Sequence, residues 1–219
     1  MSGAARKRVA VLISGGGSNM MALAKAAAHP DFPAEIVGVI SDKADAGGLV
    51  KADTLGIPTF AHVRKDYAGK TEHEAAILAE LARLSPDIIC LAGYMRLLSA
   101  EFIRAYEGRI INIHPALLPL FPGLHTHQRA IDAGMRIAGC TVHFVTEGMD
   151  EGPIIAQAAV PVLTDDTAET LAARILTVEH RVYPEALKLF AEGKVRMEGG
   201  KAMFTSARAA DALQTIVSV

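Results

Sequence analysis

Short apolar runs alternate with stretches of helical periodicity along most of the chain. Val9-Ala-Val-Leu-Ile13 is an unbroken run of the kind found in a central strand covered on both faces. Ile36–Ile40 and Pro86–Leu91 repeat it. Met20–Ala28 and Gly47–Leu55 read as helices, and Lys70–Leu84 carries Ala75, Ile77, Leu78, Leu81 and Leu84 at helical spacing. Pro58–Val63 reads as extended, and Ser99 is placed to cap a short helix through Tyr106. Strands and helices alternating in this way predict parallel βαβ units.

Past residue 106 the pattern shifts toward strands. Ile110, Ile111 and Ile113 mark the end of a buried strand, a helix ends at Gly134, and Gly139–Thr146 and Pro153–Val162 read as two more strands. Thr164-Asp-Asp-Thr-Ala168 opens a long helix reaching to about Glu192, with acidic residues in its first turn. Leu171, Ile175, Val178, Val182, Ala186 and Leu189 form its apolar stripe. Pro184 predicts a kink or restart near His180–Tyr183. Short extended pieces at 195–197 and 202–205 follow, then a peripheral tail, 206–219. The fold predicted is a single α/β domain over 1–219 with a mostly parallel open sheet, built of halves 1–105 and 106–205.

Composition narrows the function. With 219 residues and 51% hydrophobic content the chain can bury a large core. A net charge of −2 supplies no basic field for nucleic acid or an anionic membrane. Cys90 and Cys140 lie in apolar, strand-like runs and read as buried free thiols. With no apolar signal region and no span of eighteen apolar residues, a reducing cytoplasm is expected.

Several polar residues interrupt the apolar pattern. Asn112 and His114 sit two apart on a buried strand, hence on one face, and Pro115 then ends the ladder. Side by side they are costly to bury without partners, and the pair reads as a catalytic centre. Ser14-Gly-Gly-Gly-Ser-Asn19 joins a strand to a helix, the arrangement that offers backbone N–H groups to an anion; the alternative is a tight turn that Ser18 or Asn19 caps. The loop lacks the lysine of a nucleotide P-loop. A dinucleotide fingerprint fits at Gly15 and Gly17, with Asp42 near the ribose-binding position, but Met20 stands where a small residue belongs. Tyr94–Leu98 follows a strand's carboxyl end, where open α/β sheets bind ligands. His125 and His127 lack the companions of a zinc motif. Asp150 and Glu151 lie in a Gly-rich turn and admit a solvated reading. Glu179 falls within the apolar stripe of the long helix, so it is paired or faces a ligand.

The motifs Ile13-Ser-Gly-Gly-Gly-Ser-Asn19, Ala92-Gly-Tyr-Met-Arg-Leu-Leu-Ser99, Asn112-Ile-His-Pro-Ala-Leu-Leu-Pro119, Pro122-Gly-Leu-His-Thr-His127, Met149-Asp-Glu-Gly-Pro153 and Thr177-Val-Glu-His180 resemble those of the folate-dependent formyltransferases. The likeness covers nearly the whole chain. It implies the formyltransferase fold, with a Rossmann-like, phosphate-binding first half and a second half for catalysis and folate binding. It further implies transfer of a formyl group from 10-formyltetrahydrofolate, without a metal, and the Gly-Ser-Asn loop resembles the branch whose acceptor is 5-phosphoribosylglycinamide (GAR), in purine biosynthesis. On the resemblance, Asn112, His114 and Asp150 are the catalytic trio. Gly17, Ser18 and Asn19 hold the acceptor phosphate and Glu179 its ribose. Lys70, Met95, Arg96, Leu97, Leu98, Asn112, Glu147 and Asp150 contact the folate. Lys70 stands where relatives often have arginine, and Leu120 where some carry lysine. The partners implied are small molecules, with no nucleic acid or membrane, and the chain is expected as a monomer or homodimer. A 10-formyltetrahydrofolate hydrolase, a formyltransferase acting on initiator methionyl-tRNA and a nicotinamide- or nucleotide-binding α/β domain are the alternatives.

Overall fold

The first apolar run forms β1 (Lys7–Ile13), whose last five residues are buried. The computed structural model describes residues 5–206 and 215–216, and the chain divides into two compact units, 1–111 and 112–219.

In the first unit, α1 (Ser18–Ala27) leads to β2 (Ala34–Ser41), α2 (Gly47–Thr54) to β3 (Thr59–Ala61), and α3 (Lys70–Leu84) to β4 (Ile88–Leu91). β1 pairs in parallel with β2 and β4, and β2 with β3, giving the order β3-β2-β1-β4. Val9–Ile13, Val39, Ile40, Ile89 and Cys90 are fully buried, because a strand covered by helices on both faces must be apolar at every position. Helix α4 (Ala100–Ala105) starts as expected, with Ser99 Oγ accepting from the Phe102 N–H. The carboxyl ends of β1, β2 and β4 carry Ser14, Asp42 and the segment Gly93–Ser99.

The second unit starts within β5 (Ile110–His114). Its strand order is β5, then β6 (Ile137–Phe144), β7 (Ile154–Pro161) and β10 (Thr215–Ile216), with β6–β7 antiparallel and β7–β10 parallel. Helix α5 (Thr126–Asp132) precedes β6, and β8 (Val195–Glu198) and β9 (Lys201–Phe204) form a hairpin. Helix α6 (Ala168–Ala191) begins at a capping box in which Thr167 and Thr170 satisfy each other's backbone N–H. It runs unbroken through Pro184, so the expected restart near His180–Tyr183 is absent. The proline costs one intrahelical bond and some strain, about 3 kcal/mol. Val182, Tyr183 and Leu187 are buried on either side of it, each worth about 1.5–3 kcal/mol as a large side chain, and burial wins. Both cysteines are buried free thiols. Of the expected peripheral tail, only Ser206 and Thr215–Ile216 fall among the described residues, none of whose helices is long and apolar enough to cross a membrane.

Candidate active site

In the first unit the glycine loop has its own internal logic. Gly17, not Ser18 or Asn19, is the N-cap of α1; it adopts a left-handed φ of 69° and no side chain caps the helix, correcting the expected cap. A Cβ on Gly17 would stand 2.6 Å from Gly48 Cα, and Gly48 N–H donates to the Gly15 carbonyl at 3.0 Å. Gly17 therefore serves backbone conformation and the packing of α2. Gly15 and Gly16 have nothing within 4 Å of a Cβ position, so these two leave the backbone open to a ligand. Ser18 is exposed and Asn19 buried, both in the first turn, where helix N–H groups lack intrahelical partners.

The segment Gly93–Ser99 is pinned along its length by three elements. Ser14 Oγ accepts from the Met95 N–H at 2.8 Å, Asp42 Oδ2 from Arg96 Nε at 2.6 Å, and Glu74 Oε1 from the Ser99 N–H at 3.0 Å. Asp42 is 2% exposed with Oδ2 on Arg96, so burial keeps it from a ribose, which takes Asp42 away from the dinucleotide reading. Lys70 opens α3 with Nζ 3.7 Å from Glu74 Oε1. Burial, then the charges of Asp42 and Glu74, push the Tyr94 phenol well above its usual range. Met95 and Leu97 remain 61% and 65% exposed, an apolar surface on a fixed backbone.

In the second unit the end of β5 presents Asn112 and His114 to the turn that carries Asp150. His114 Nε2 donates to the Phe121 carbonyl at 3.0 Å, and Nδ1 lies 3.5 Å from Asp150 Oδ2. That oxygen also accepts from the Gly123 N–H at 2.8 Å. With Nε2–H committed, Nδ1 attracts the carboxylate only when it too carries a proton. Asn112 reaches neither directly. Its Nδ2 donates to His143 Nε2 at 3.2 Å, because His143 Nδ1–H is engaged by the Phe144 carbonyl at 2.9 Å. Burial lowers the His143 pKa, against the opposing pull of the Phe144 carbonyl and Asp150, which keeps the ring neutral and its Nε2 an acceptor. Asn112 thus keeps one amide N–H for a substrate oxygen.

The loop from Pro115 to His125 is stapled underneath. Thr141 Oγ1 donates to the Ala116 carbonyl at 2.7 Å and accepts from the Leu118 N–H at 3.0 Å, while Gln157 Nε2 donates to the Leu118 carbonyl at 2.9 Å. Gly152 must be glycine: a Cβ there would sit 1.7 Å from the Phe144 carbonyl oxygen that holds His143. Glu147 and Met149 are exposed on the turn before Asp150. Glu179 is buried on α6, and burial followed by its charge pushes the Cys140 thiol up to about 12, leaving an inert group. His125 takes a left-handed φ at the start of α5, and the half-buried His127 has its pKa lowered, first by burial and then by His114. Among the described residues no group of three His, Cys, Asp or Glu could hold a metal ion. Sequence reasoning missed His143, Thr141, Gln157 and Glu74. The available signal was Thr141 and His143, polar and two apart on a strand otherwise apolar.

An amide and an imidazole on the last residues of β5, with a carboxylate on the turn between β6 and β7, are groups chemically able to move a proton and to donate to a negative oxygen. The chain belongs to the formyl transferase family, whose pattern matches residues 7–187. The trifunctional purine biosynthetic protein adenosine-3 of Gallus gallus is 50% identical over 89% of this chain, which spans only 19% of that relative's length. The phosphoribosylglycinamide formyltransferase of Haemophilus influenzae is 45% identical over 88% of this chain and 91% of its own. A crystal structure of phosphoribosylglycinamide formyltransferase from Brucella melitensis, 72% identical, superimposes with a TM-score of 0.82 over 85% of this chain and 96% of that one.

Proposed function

We propose that this chain transfers the formyl group of 10-formyltetrahydrofolate to the amine of 5-phosphoribosylglycinamide in purine biosynthesis, in the cytoplasm. The arrangement His114–Asp150 and Asn112–His143 carries the reading, and relatives named for this reaction support it. The acceptor amine adds to the formyl carbon, forming a C–N bond and moving the carbonyl electron pair onto oxygen. The free Asn112 amide N–H donates to that oxygen, and His114, when protonated, adds positive charge. The new nitrogen loses a proton through the His114–Asp150 pair, folate N10 gains one, and the bond from carbon to N10 breaks. A primary amine needs no protein nucleophile.

Gly17, Ser18 and Asn19 bind the acceptor phosphate and Glu179 its ribose. Met95, Arg96, Leu97 and Leu98 wall the pterin, with Asn112, Glu147 and Asp150 completing the donor contacts and Lys70 near the folate tail. The test is donor consumption followed spectrophotometrically, with and without the acceptor, for wild type and His114→Ala. Acceptor-dependent turnover that falls about 10²-fold or more in the variant is expected, the scale of lost acid–base catalysis. Turnover indifferent to the acceptor would mean a hydrolase and overturn the reading, as would no turnover at all.

A further inference from the structure

The Gly15–Gly17 loop contains no cation, and the structure brings one to it from α2. Lys51, one turn into that helix and exposed, donates from Nζ to the Gly16 carbonyl oxygen at 2.8 Å. Like several other surface lysines, Lys51 has no carboxylate within 4.0 Å among the described residues; what sets it apart is that its ammonium is held on a carbonyl of the glycine loop. The placement is not accidental to the helix. Gly48 lies against Gly17 and donates to Gly15, so the backbone carrying Lys51 is fixed relative to the loop. A helical side chain leans toward the N-terminus of its own helix, which directs the ammonium back over Gly16.

We propose that Lys51 is a substrate-binding and specificity-determining residue that leaves the Gly16 carbonyl to pair with the acceptor's phosphate. The proposal rests on the reading of this loop as the acceptor phosphate site. Backbone N–H groups and a helix N-terminus supply only partial charge, equivalent to roughly half a unit, whereas a phosphate monoester carries between one and two negative charges near neutral pH. A full positive charge is needed to approach neutrality. An exposed ammonium on a carbonyl is weakly held and gives way to a charged acceptor. Gly15 and Gly16, bare on their outer side, leave room for the phosphate to arrive between the backbone and the lysine.

The test compares two acceptors, 5-phosphoribosylglycinamide and the same compound without its phosphate, on wild type, Lys51→Ala and Lys51→Arg. In Lys51→Ala the ratio of kcat/KM for the phosphorylated over the dephosphorylated acceptor falls by about tenfold to a hundredfold, the range lost with one charge-assisted hydrogen bond. The loss appears in KM for the phosphorylated acceptor, not in KM for the formyl donor, and Lys51→Arg recovers most of it. An unchanged ratio in Lys51→Ala overturns the proposal, and so does an equal loss for both acceptors, which would make Lys51 structural only. Failure of the functional reading looks different: wild type itself would not formylate the phosphorylated acceptor, and the assignment of Lys51 would fall with it.

Discussion

With its Nδ1–H on the Phe144 carbonyl, His143 has one lone pair left, and the Asn112 amide occupies it. Replacing His143 by Leu leaves that half-buried amide donor without its acceptor, a cost of about 1 kcal/mol, and frees the side chain to turn. Steady-state kinetics should show kcat lower by about tenfold to a hundredfold, with a smaller loss in His143→Gln, whose carbonyl can accept in turn; equal kcat in wild type and His143→Leu would refute the role. Asn112 and His114 were legible beforehand because two polar groups on one face of an isoleucine-rich strand, with a proline behind them, have no ordinary structural purpose. His143 was not, because a polar residue every second position is also how a half-exposed strand reads. That Asp150 stands beside His114 was to be expected only through resemblance, since an aspartate in a Gly-rich turn is the default turn residue.

At the scale of elements, the segment Gly93–Ser99 illustrates what sequence reading cannot reach. Its exposed Met95 and Leu97 could be read locally, but the groups that fix it, Ser14, Asp42 and Glu74, stand 81, 54 and 25 residues away along the chain. Glu74 in particular sits on an amphipathic helix where a carboxylate passes for a solvated one. The helices themselves were readable, α3 to its ends, because periodicity is a local signal; the continuity of α6 through Pro184 was not, because burial decided it. Glu74→Ala removes the acceptor of the half-buried Ser99 N–H, and the loosened segment should raise KM for the formyl donor about fivefold, the low end of the cost of an unsatisfied donor. KM for the acceptor should stay as it was. A variant in which both constants rise together would show a general loss of fold instead.

Over the whole molecule, burial lowers the pKa of His62, His127, His143 and His180. The unfolded chain binds protons at these groups from about pH 6.5 downward, before the folded chain does. Stability contributed by keeping them neutral is therefore intact above pH 6.5 and lost as the pH falls below it. The slope from any one histidine cannot exceed about 1.4 kcal/mol per pH unit, and solvent reduces it further for His62, His127 and His180, which are less deeply buried than His143. Urea midpoints should change little between pH 7.5 and 6.5 and drop by pH 5.5, with part of the drop absent in His143→Gln. A midpoint constant over all three values would contradict the sign.

Phe121 and Asp150, the two residues that hold His114, both have left-handed backbones, with φ of 54° and 57°, a conformation costing a non-glycine residue on the order of 1 kcal/mol. Asparagine tolerates it better than most residues. Asp150→Asn therefore keeps the shape of the turn and eases its backbone while removing the carboxylate that faces the imidazole. Melting and turnover measured side by side should separate: the variant unfolds at the same temperature or higher and has lost most of its activity. A library sorted for heat resistance alone would enrich such changes, and the enzyme would evolve toward a tougher, silent protein. On the proposed role of Asp150, position 150 is where the demands of chemistry and of backbone stability pull in opposite directions.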